Sequence, residues 1–242
     1  MIDLTINTQP NDETCGATCL HAIYRYYGLN LSLDDIINSV ERSISGGTLS
    51  SMLGKHALMQ GFDATIFVNN MKIFDPTWFK NSKASSEILL KKLKSQGKFK
   101  HSKGLAQASK GYQDFLTLGG TIRFKTLDVK TLKDFFDKKI PVLTGLSSTY
   151  LYRSARECFT SDGESYFDDI RGEPCGHFVV LCGYDENHKL VVVADPFRTN
   201  PFTNDNYYKV SSTRIINAIL LGVLTFDATL LIIEPKKTTP TE

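Results

Sequence analysis

The sequence predicts an α+β protein, because helical patterns fill its first half and strand patterns its second. Apolar residues recur at helical spacing from Cys15 to about Gln60, and the character changes after the Gly119-Gly120 pair. The segments "GHFVVLCGYD" and "KLVVVADP" read as strands, and the short "ENH" between them predicts an antiparallel hairpin. Strands and helices do not alternate regularly, so a parallel α/β sheet is not expected.

The first helix is predicted to begin at Cys15 in "QPNDETCGATCLHAIYRYYG". Leu20, Ile23 and Tyr24 share one face, and Gly28 stands where a glycine ends a helix. Further helices are predicted at about 32–40, 49–60, 84–96 and 104–118, with one strand at 62–68.

The sheet is expected to form mainly from the second half of the chain. "TIRFKTL" and "IPVLTGL" read as strands on either side of a short helix at 131–138. "STYLYRSARE" is helix-like and leads into a polar loop from about 158 to 174. The apolar run from Ile215 to Phe226 reads as a buried helix running into a strand.

Composition indicates an ordinary globular protein. The 242 residues are 41% hydrophobic and 22% charged, and the net charge of +2 gives no electrostatic reason to expect a nucleic-acid partner. The N-terminus lacks the pattern of a secretory signal, and the longest apolar run is about half the ~20 residues that span a bilayer. Five cysteines, an odd number, do not suggest a disulfide framework. We therefore expect a cytoplasmic protein with reduced thiols and no membrane partner, and the sequence leaves the oligomeric state open.

Four residues together predict thiol chemistry. Cys15 opens a helix, whose free amide groups favour a thiolate. His177 begins an apolar strand, and Asp195 ends the next strand, so a hairpin would place the carboxylate beside the imidazole. The Cys15 backbone amide and the Gln9 side chain could donate to an oxyanion.

These residues resemble a known family. The features that carry the resemblance are, in chain order, Gln9, Cys15-Gly16, "GHFVVLCGYD" and "VVVADPF". They are similar to motifs of the papain-like cysteine peptidases. Within that superfamily they are most similar to the bacteriocin-processing peptidases, which cleave leader peptides after a double glycine. The resemblance implies a helical lobe with the cysteine, at about 1–118, and an antiparallel sheet lobe with histidine and aspartate, at about 119–236. We expect one domain over 1–236, and the polar end of the chain predicts a disordered tail at 237–242. Residues 70–135 match no part of the family that we can name.

The resemblance implies a thiol hydrolase that acts on a peptide or protein through an acyl-enzyme. The best-known members are fused to a membrane transporter and ATPase, but this sequence shows neither a spanning helix nor a P-loop, so we expect a stand-alone enzyme. Cys15 would be the nucleophile, His177 the general base and acid, Asp195 the orienting group and Gln9 an oxyanion donor. No metal or organic cofactor is implied. Two alternatives stay open: a papain-like acyltransferase that tailors peptides, and a non-catalytic domain that binds them.

Other features have competing interpretations. Cys15, Cys19, Cys175 and His177 could form a metal site, although their spacing is poor for structural zinc. Cys19 is expected to pack in the core. The acidic segment 157–173 would be either a lid that selects basic or polar substrates or an ordinary surface loop. A lysine-rich stretch is expected to be a solvated helical face. Its members are Lys91, Lys92, Lys94, Lys98, Lys100, Lys103 and Lys110.

Overall fold

The helices of the first half of the chain follow the predicted pattern closely. The computed structural model describes residues 1–44, 46–160 and 165–236. The helices are α1 Cys15–Tyr26, α2 Leu33–Ser39, α3 Ser50–Met59, α4 Ser86–Gln96, α5 Lys103–Thr117, α6 Val129–Asp137, α7 Ser148–Tyr152 and α8 Ser212–Leu221. None of the helices in these ranges is long and apolar enough to cross a membrane.

A large mixed sheet confirms the α+β class. The strands are β1 Phe62–Val68, β2 Thr121–Phe124, β3 Val142–Ser147, β4 Glu157–Phe159, β5 Ser165–Phe167, β6 Gly176–Asp185, β7 Leu190–Ala194, β8 Tyr207–Ser211 and β9 Thr229–Pro235. Seven of them form one sheet in the order β2-β1-β9-β3-β6-β7-β8, while β4 and β5 pair separately. Strands buried on both faces, such as β3, lie at the centre of this sheet.

The prediction of an antiparallel sheet is wrong for one pair of strands. β1 and β2 run parallel, whereas the other neighbours in the large sheet are antiparallel. Residues 69–120, which contain α4 and α5, connect these two strands. A parallel pair needs such a long crossover, and a hairpin could not provide it.

The strand β1 joins the predicted helical lobe to the predicted sheet lobe. It lies within the range assigned to the helical lobe, yet it pairs along its whole length with β9 near the other end of the chain. α1 packs against β6, and α3 packs against β1 and β9. The helices therefore cover a sheet to which both halves of the sequence contribute. The predicted tail, 237–242, lies outside the described residues.

Several local predictions for the second half need correction. The helix predicted over "STYLYRSARE" stops at Tyr152, because Arg153 adopts a left-handed conformation with φ 56°. The polar loop that follows contains the β4–β5 hairpin. The apolar run after Ile215 forms α8 and a 3₁₀ turn, Gly222–Thr225, and the strand begins only at Thr229.

Buried polar groups link helices to the sheet and to each other. The Asp227 carboxylate accepts hydrogen bonds from the backbone N–H of Ser50 at 3.2 Å and from its hydroxyl at 3.0 Å. Burial raises the pKa of Asp227 to about 7. The Tyr24 hydroxyl and His56 Nδ1 lie 2.7 Å apart, and His56 Nε2 lies 3.0 Å from the Ser39 hydroxyl. His56 is therefore a structural residue in the helical layer.

Candidate active site

Cys15 is the first residue of α1, as the sequence predicts. Thr14 is the N-cap residue, but its side chain accepts no hydrogen bond from the helix. Because the first amides of a helix lack partners within the helix, they favour a negative charge at this end. The Cys15 side chain is buried, with 7% of its surface exposed. The sulfur therefore lies at the N-terminus of a helix, at a point that little solvent reaches.

Gly16 allows the start of α1 to pack closely against its neighbours. A Cβ atom at this position would lie 2.4 Å from Thr48 Cγ2, 3.1 Å from Leu53 and 3.3 Å from Phe178. Phe178 is the neighbour of His177 on β6. The glycine therefore brings the helix that holds Cys15 against the strand that holds His177.

The predicted hairpin brings His177 and Asp195 together. β6 and β7 are antiparallel, with Val180 opposite Ala194 and a bulge between Leu181 and Gly183. His177 near the start of β6 and Asp195 just after β7 therefore lie at the same end of the hairpin. His177 Nε2 and Asp195 Oδ1 are 2.8 Å apart.

Further hydrogen bonds hold the Asp195 carboxylate. The Tyr152 and Tyr208 hydroxyls each donate to Oδ2 at 2.7 Å, and the Phe197 N–H donates to Oδ1 at 2.9 Å. The side chain is fully buried, and burial alone would raise its pKa. The positive charge of His177 and these hydrogen bonds outweigh burial, so the pKa of Asp195 is lowered. Asp195 is therefore ionised and fixed in orientation.

Sequence reasoning missed both tyrosines. Tyr208 lies on β8, a strand that the sequence did not predict, which pairs with β7 beside Asp195. Tyr152 ends the short helix α7. Its ring centroid lies 6.1 Å from that of His177, and the Phe197 ring lies 6.2 Å from His177 on an edge-to-face contact. No local pattern marks either tyrosine as part of the site.

Cys15 and Asp195 both influence the protonation of the His177 imidazole. Burial would lower the pKa of His177, but the charge of Asp195, its hydrogen bond and a further hydrogen bond with Cys15 raise the pKa to about 10. Since Asp195 occupies Nε2, the other ring nitrogen, Nδ1, is left for Cys15. This arrangement favours an imidazolium beside the sulfur at neutral pH.

Gln9 lies next to these residues, although its side chain has another partner. Its backbone N–H donates to the carbonyl of Pro196 at 2.9 Å, one residue after Asp195. Its side-chain Nε2 donates to the carbonyl of Asn11 at 3.0 Å. Among the described residues, the buried Oε1 atom has no hydrogen-bond partner. The structure therefore places the Gln9 backbone beside the end of β7 that leads to Asp195, with one hydrogen of the side-chain amide already bonded.

The acidic segment 157–173 reaches the site through Glu157. Glu157 is half-buried, and burial raises its pKa, while a hydrogen bond with Cys175 and the charge of His177 oppose that effect. Burial, followed by the charge of Glu157, raises the pKa of the Cys175 thiol to about 12. Asp168 bonds Arg171 within its own turn. Asp162 and Glu164 lie outside the described residues, so the interpretation as a lid stays a prediction.

The remaining cysteines and lysines have structural or solvated surroundings. Cys19 is fully buried, and its thiol donates to the carbonyl of Phe178 at 3.3 Å. In the ranges that the structure describes, no group of three or more His, Cys, Asp or Glu side chains is placed to hold a metal ion. All five cysteines are free thiols. The members of the lysine-rich stretch are all exposed.

Two solved structures are similar to the chain at low sequence identity. One is the peptidase domain of Streptococcus ComA, described as a bifunctional ABC transporter of a quorum-sensing pathway. It is 12% identical, with a TM-score of 0.44 and coverage of 96% of this chain and 98% of that chain. The other is a putative C39-like peptidase from Bacillus anthracis, 15% identical, with a TM-score of 0.44 and coverage of 98% and 96%.

The sequence was also compared with curated proteins and with models of protein families. No curated protein matches the sequence. The model of the Peptidase C39 like family matches residues 1–215, which include Gln9, Cys15, His177 and Asp195. This match spans most of the chain and agrees with the resemblance that the sequence motifs indicate. The chain therefore belongs to the Peptidase C39 like family.

Proposed function

We propose that the protein is a papain-like cysteine peptidase or amide hydrolase that acts on a peptide through Cys15, His177 and Asp195. One observation carries the proposal: the His177 imidazole lies 2.8 Å from Asp195, and Cys15 is close enough to contribute to its raised pKa. A thiol, an imidazole and a carboxylate in this order are the arrangement that activates a sulfur nucleophile.

The first half of the reaction forms an acyl-enzyme. The Cys15 thiolate attacks the carbonyl carbon of the scissile amide, and the carbonyl electron pair moves onto oxygen. The backbone N–H of Cys15 and the second amide hydrogen of Gln9 stabilise this oxyanion. When the oxyanion collapses, the C–N bond breaks, and the His177 imidazolium gives its proton to the leaving amine.

The second half releases the acid. The His177 imidazole, now neutral, takes a proton from water, and the resulting hydroxide attacks the thioester carbonyl. Collapse breaks the C–S bond and yields a carboxylic acid, and the proton on His177 restores the ion pair with the Cys15 thiolate. Asp195, held by Tyr152 and Tyr208, keeps the imidazole oriented through both halves of the reaction.

The location that we propose for the protein is the cytoplasm, as the sequence predicts.

A mixture of synthetic peptides in H₂¹⁸O, analysed by mass spectrometry, tests this proposal. The wild-type protein is expected to produce new C-termini that carry ¹⁸O, and Cys15→Ala is expected to produce none. Cys158→Ala is the matched thiol control, since Cys158 lies on β4 and is not part of the proposed triad.

Addition of methylamine separates hydrolysis from transfer. A hydrolase yields acids, whereas an acyltransferase yields N-methylamides in proportion to the amine. Cleavage by Cys15→Ala at the wild-type rate would refute the assignment of the nucleophile. Binding of peptides without any turnover would instead support the non-catalytic alternative.

A further inference from the structure

A cavity of about 790 Å³ lies between α7, β8 and α8, apart from the Cys15 sulfur. Four cationic side chains reach it, and none of its described lining residues is acidic. The cations are Arg153, Arg156, Lys209 and Arg214. A cavity with this lining favours an anionic group in its ligand.

Three of the four cations have no carboxylate partner among the described residues, and one of these three, Arg156, is held by backbone carbonyls instead. Lys209 Nζ bonds Asp185 at 2.9 Å, and Arg156 donates to the backbone carbonyls of Asp169 and Ile170. Among the described residues, Arg153 and Arg214 form no ion pair. The Arg214 Nε atom is buried and has no hydrogen-bond partner in this part of the chain. An unsatisfied buried donor of a charged group is unfavourable, so an anion would stabilise it.

The two unpaired arginines lie close enough to repel each other. Burial, followed by the charge of Arg153, lowers the pKa of Arg214. The Arg214 guanidinium also lies over the Phe202 ring, with Cζ 4.9 Å from the centroid. This ring holds the guanidinium in place at the cavity wall, because cation–π contact fixes the position of the charge.

The start of α8 adds to the positive potential. Thr213 and Arg214 of its first turn line the cavity, and this turn contains no acidic residue. Apolar side chains, among them Leu221 and Leu224, form another part of the wall. The cavity thus combines an apolar surface with two unpaired guanidinium groups, which suits a carboxylate that has apolar neighbours.

The cavity adjoins the residues that position Asp195. The Phe202 ring centroid lies 4.5 Å from that of Tyr208 and 6.1 Å from that of Tyr152. Pro174, at the cavity edge, precedes His177 by three residues, which span at most about 11 Å of extended chain. A peptide held at Cys15 could therefore reach the cavity with a residue about three positions from the reacting bond.

We propose that this cavity is a substrate subsite that binds an acidic side chain flanked by apolar residues, with Arg153 and Arg214 as its carboxylate ligands. The proposal names a substrate class for the hydrolase proposed above and rests on that function. The cavity would bind a part of the peptide about three residues away from the scissile bond.

Binding to the inactive Cys15→Ala protein tests the subsite apart from turnover. The probes are the capped peptides acetyl-Phe-Glu-Leu-Glu-amide and acetyl-Phe-Gln-Leu-Gln-amide, and inorganic phosphate. Each is titrated into ¹⁵N-labelled protein and followed by chemical-shift changes of backbone amides. The acidic peptide is expected to shift Thr213, Leu221 and Leu224, and to bind at least about tenfold more tightly than the neutral one.

Variants of the two arginines identify the ligands of the carboxylate. Arg153→Gln and Arg214→Gln are each expected to weaken binding of the acidic peptide about tenfold, whereas Lys91→Gln on exposed α4 leaves it unchanged. Arg153 is exposed, so its variant retains the fold even if Arg214→Gln does not. Equal binding of the two peptides, or no binding of either, would overturn the proposal. Equal binding of phosphate and the acidic peptide would overturn the assignment to a peptide. None of these binding results would affect the ¹⁸O test of catalysis.

Discussion

Replacement of Asp195 by asparagine is expected to lower the pKa of the His177 imidazole by several units. Asparagine retains the size of the side chain and an oxygen acceptor, but it has no charge. In the native site the charge of Asp195 opposes burial and, with its hydrogen bond and that of Cys15, raises the pKa of His177 to about 10. Without this charge, burial is the largest remaining effect, and we expect a pKa near or below 6.5.

The free energy involved follows from this shift. The difference between the ordinary value of 6.5 and about 10, at roughly 1.4 kcal/mol per unit, is about 5 kcal/mol in favour of the imidazolium. Because the pKa of His177 is raised on folding, this contribution to stability is fully present below about pH 6.5. It is lost as the pH rises through about 10. Asp195→Asn should therefore remove most of this pH dependence.

Nuclear magnetic resonance of ¹⁵N-labelled histidine rings measures this pKa directly between pH 5 and 11. Cys15→Ala is the matched control, because Cys15 contributes less to the shift than Asp195 and its loss should lower the pKa by a smaller amount. If His177 in Asp195→Asn titrates within one unit of wild type, the charge of Asp195 does not set the protonation of the imidazole, and the reasoning is refuted.

Three further predictions concern stability. Asp227→Asn removes a carboxyl whose pKa is raised from 3.8 to about 7. The unfolding free energy of the variant minus that of wild type, measured in urea, should therefore increase by up to about 4 kcal/mol between pH 4 and pH 8. A difference that does not change with pH would contradict this. Gly16→Ala should destabilise the protein by about 1–3 kcal/mol through its clash at the start of α1, and an unchanged urea midpoint would argue against close packing there. Tyr24→Phe should lower the unfolding free energy by about 1–3 kcal/mol because His56 loses a buried partner. Tyr26→Phe, which removes an exposed hydroxyl, is the control and should lower it less. An equal loss of unfolding free energy in the two variants would contradict the account.

The residues of the proposed triad could be found from sequence because each has a local signature. Cys15 opens a helix whose apolar face is periodic, and the short turn after β6 predicts the hairpin that joins His177 to Asp195. Hairpins fix register over a short distance, so the two side chains could be placed together without knowledge of the rest of the sheet.

The supports of Asp195 could not be found in this way. Tyr208 acts from β8, a strand of five residues in which an exposed lysine follows two tyrosines, so its pattern is weak. Tyr152 acts from a helix of one turn that ends at a left-handed Arg153. The parallel pairing of β1 with β2 depends on a crossover through residues 69–120. Each of these features depends on contacts between distant segments, which local periodicity does not determine.

The rate of alkylation of Cys15 by iodoacetamide at pH 7 tests the central claim most directly. Mass spectrometry follows each thiol in the folded protein, with the buried Cys19 as the internal reference. Cys15 is expected to react much faster than Cys19, and His177→Ala is expected to slow Cys15 while leaving Cys19 unchanged. A Cys15 that reacts no faster than Cys19, or at the same rate in His177→Ala, would contradict the assignment of Cys15 as a nucleophile activated by His177.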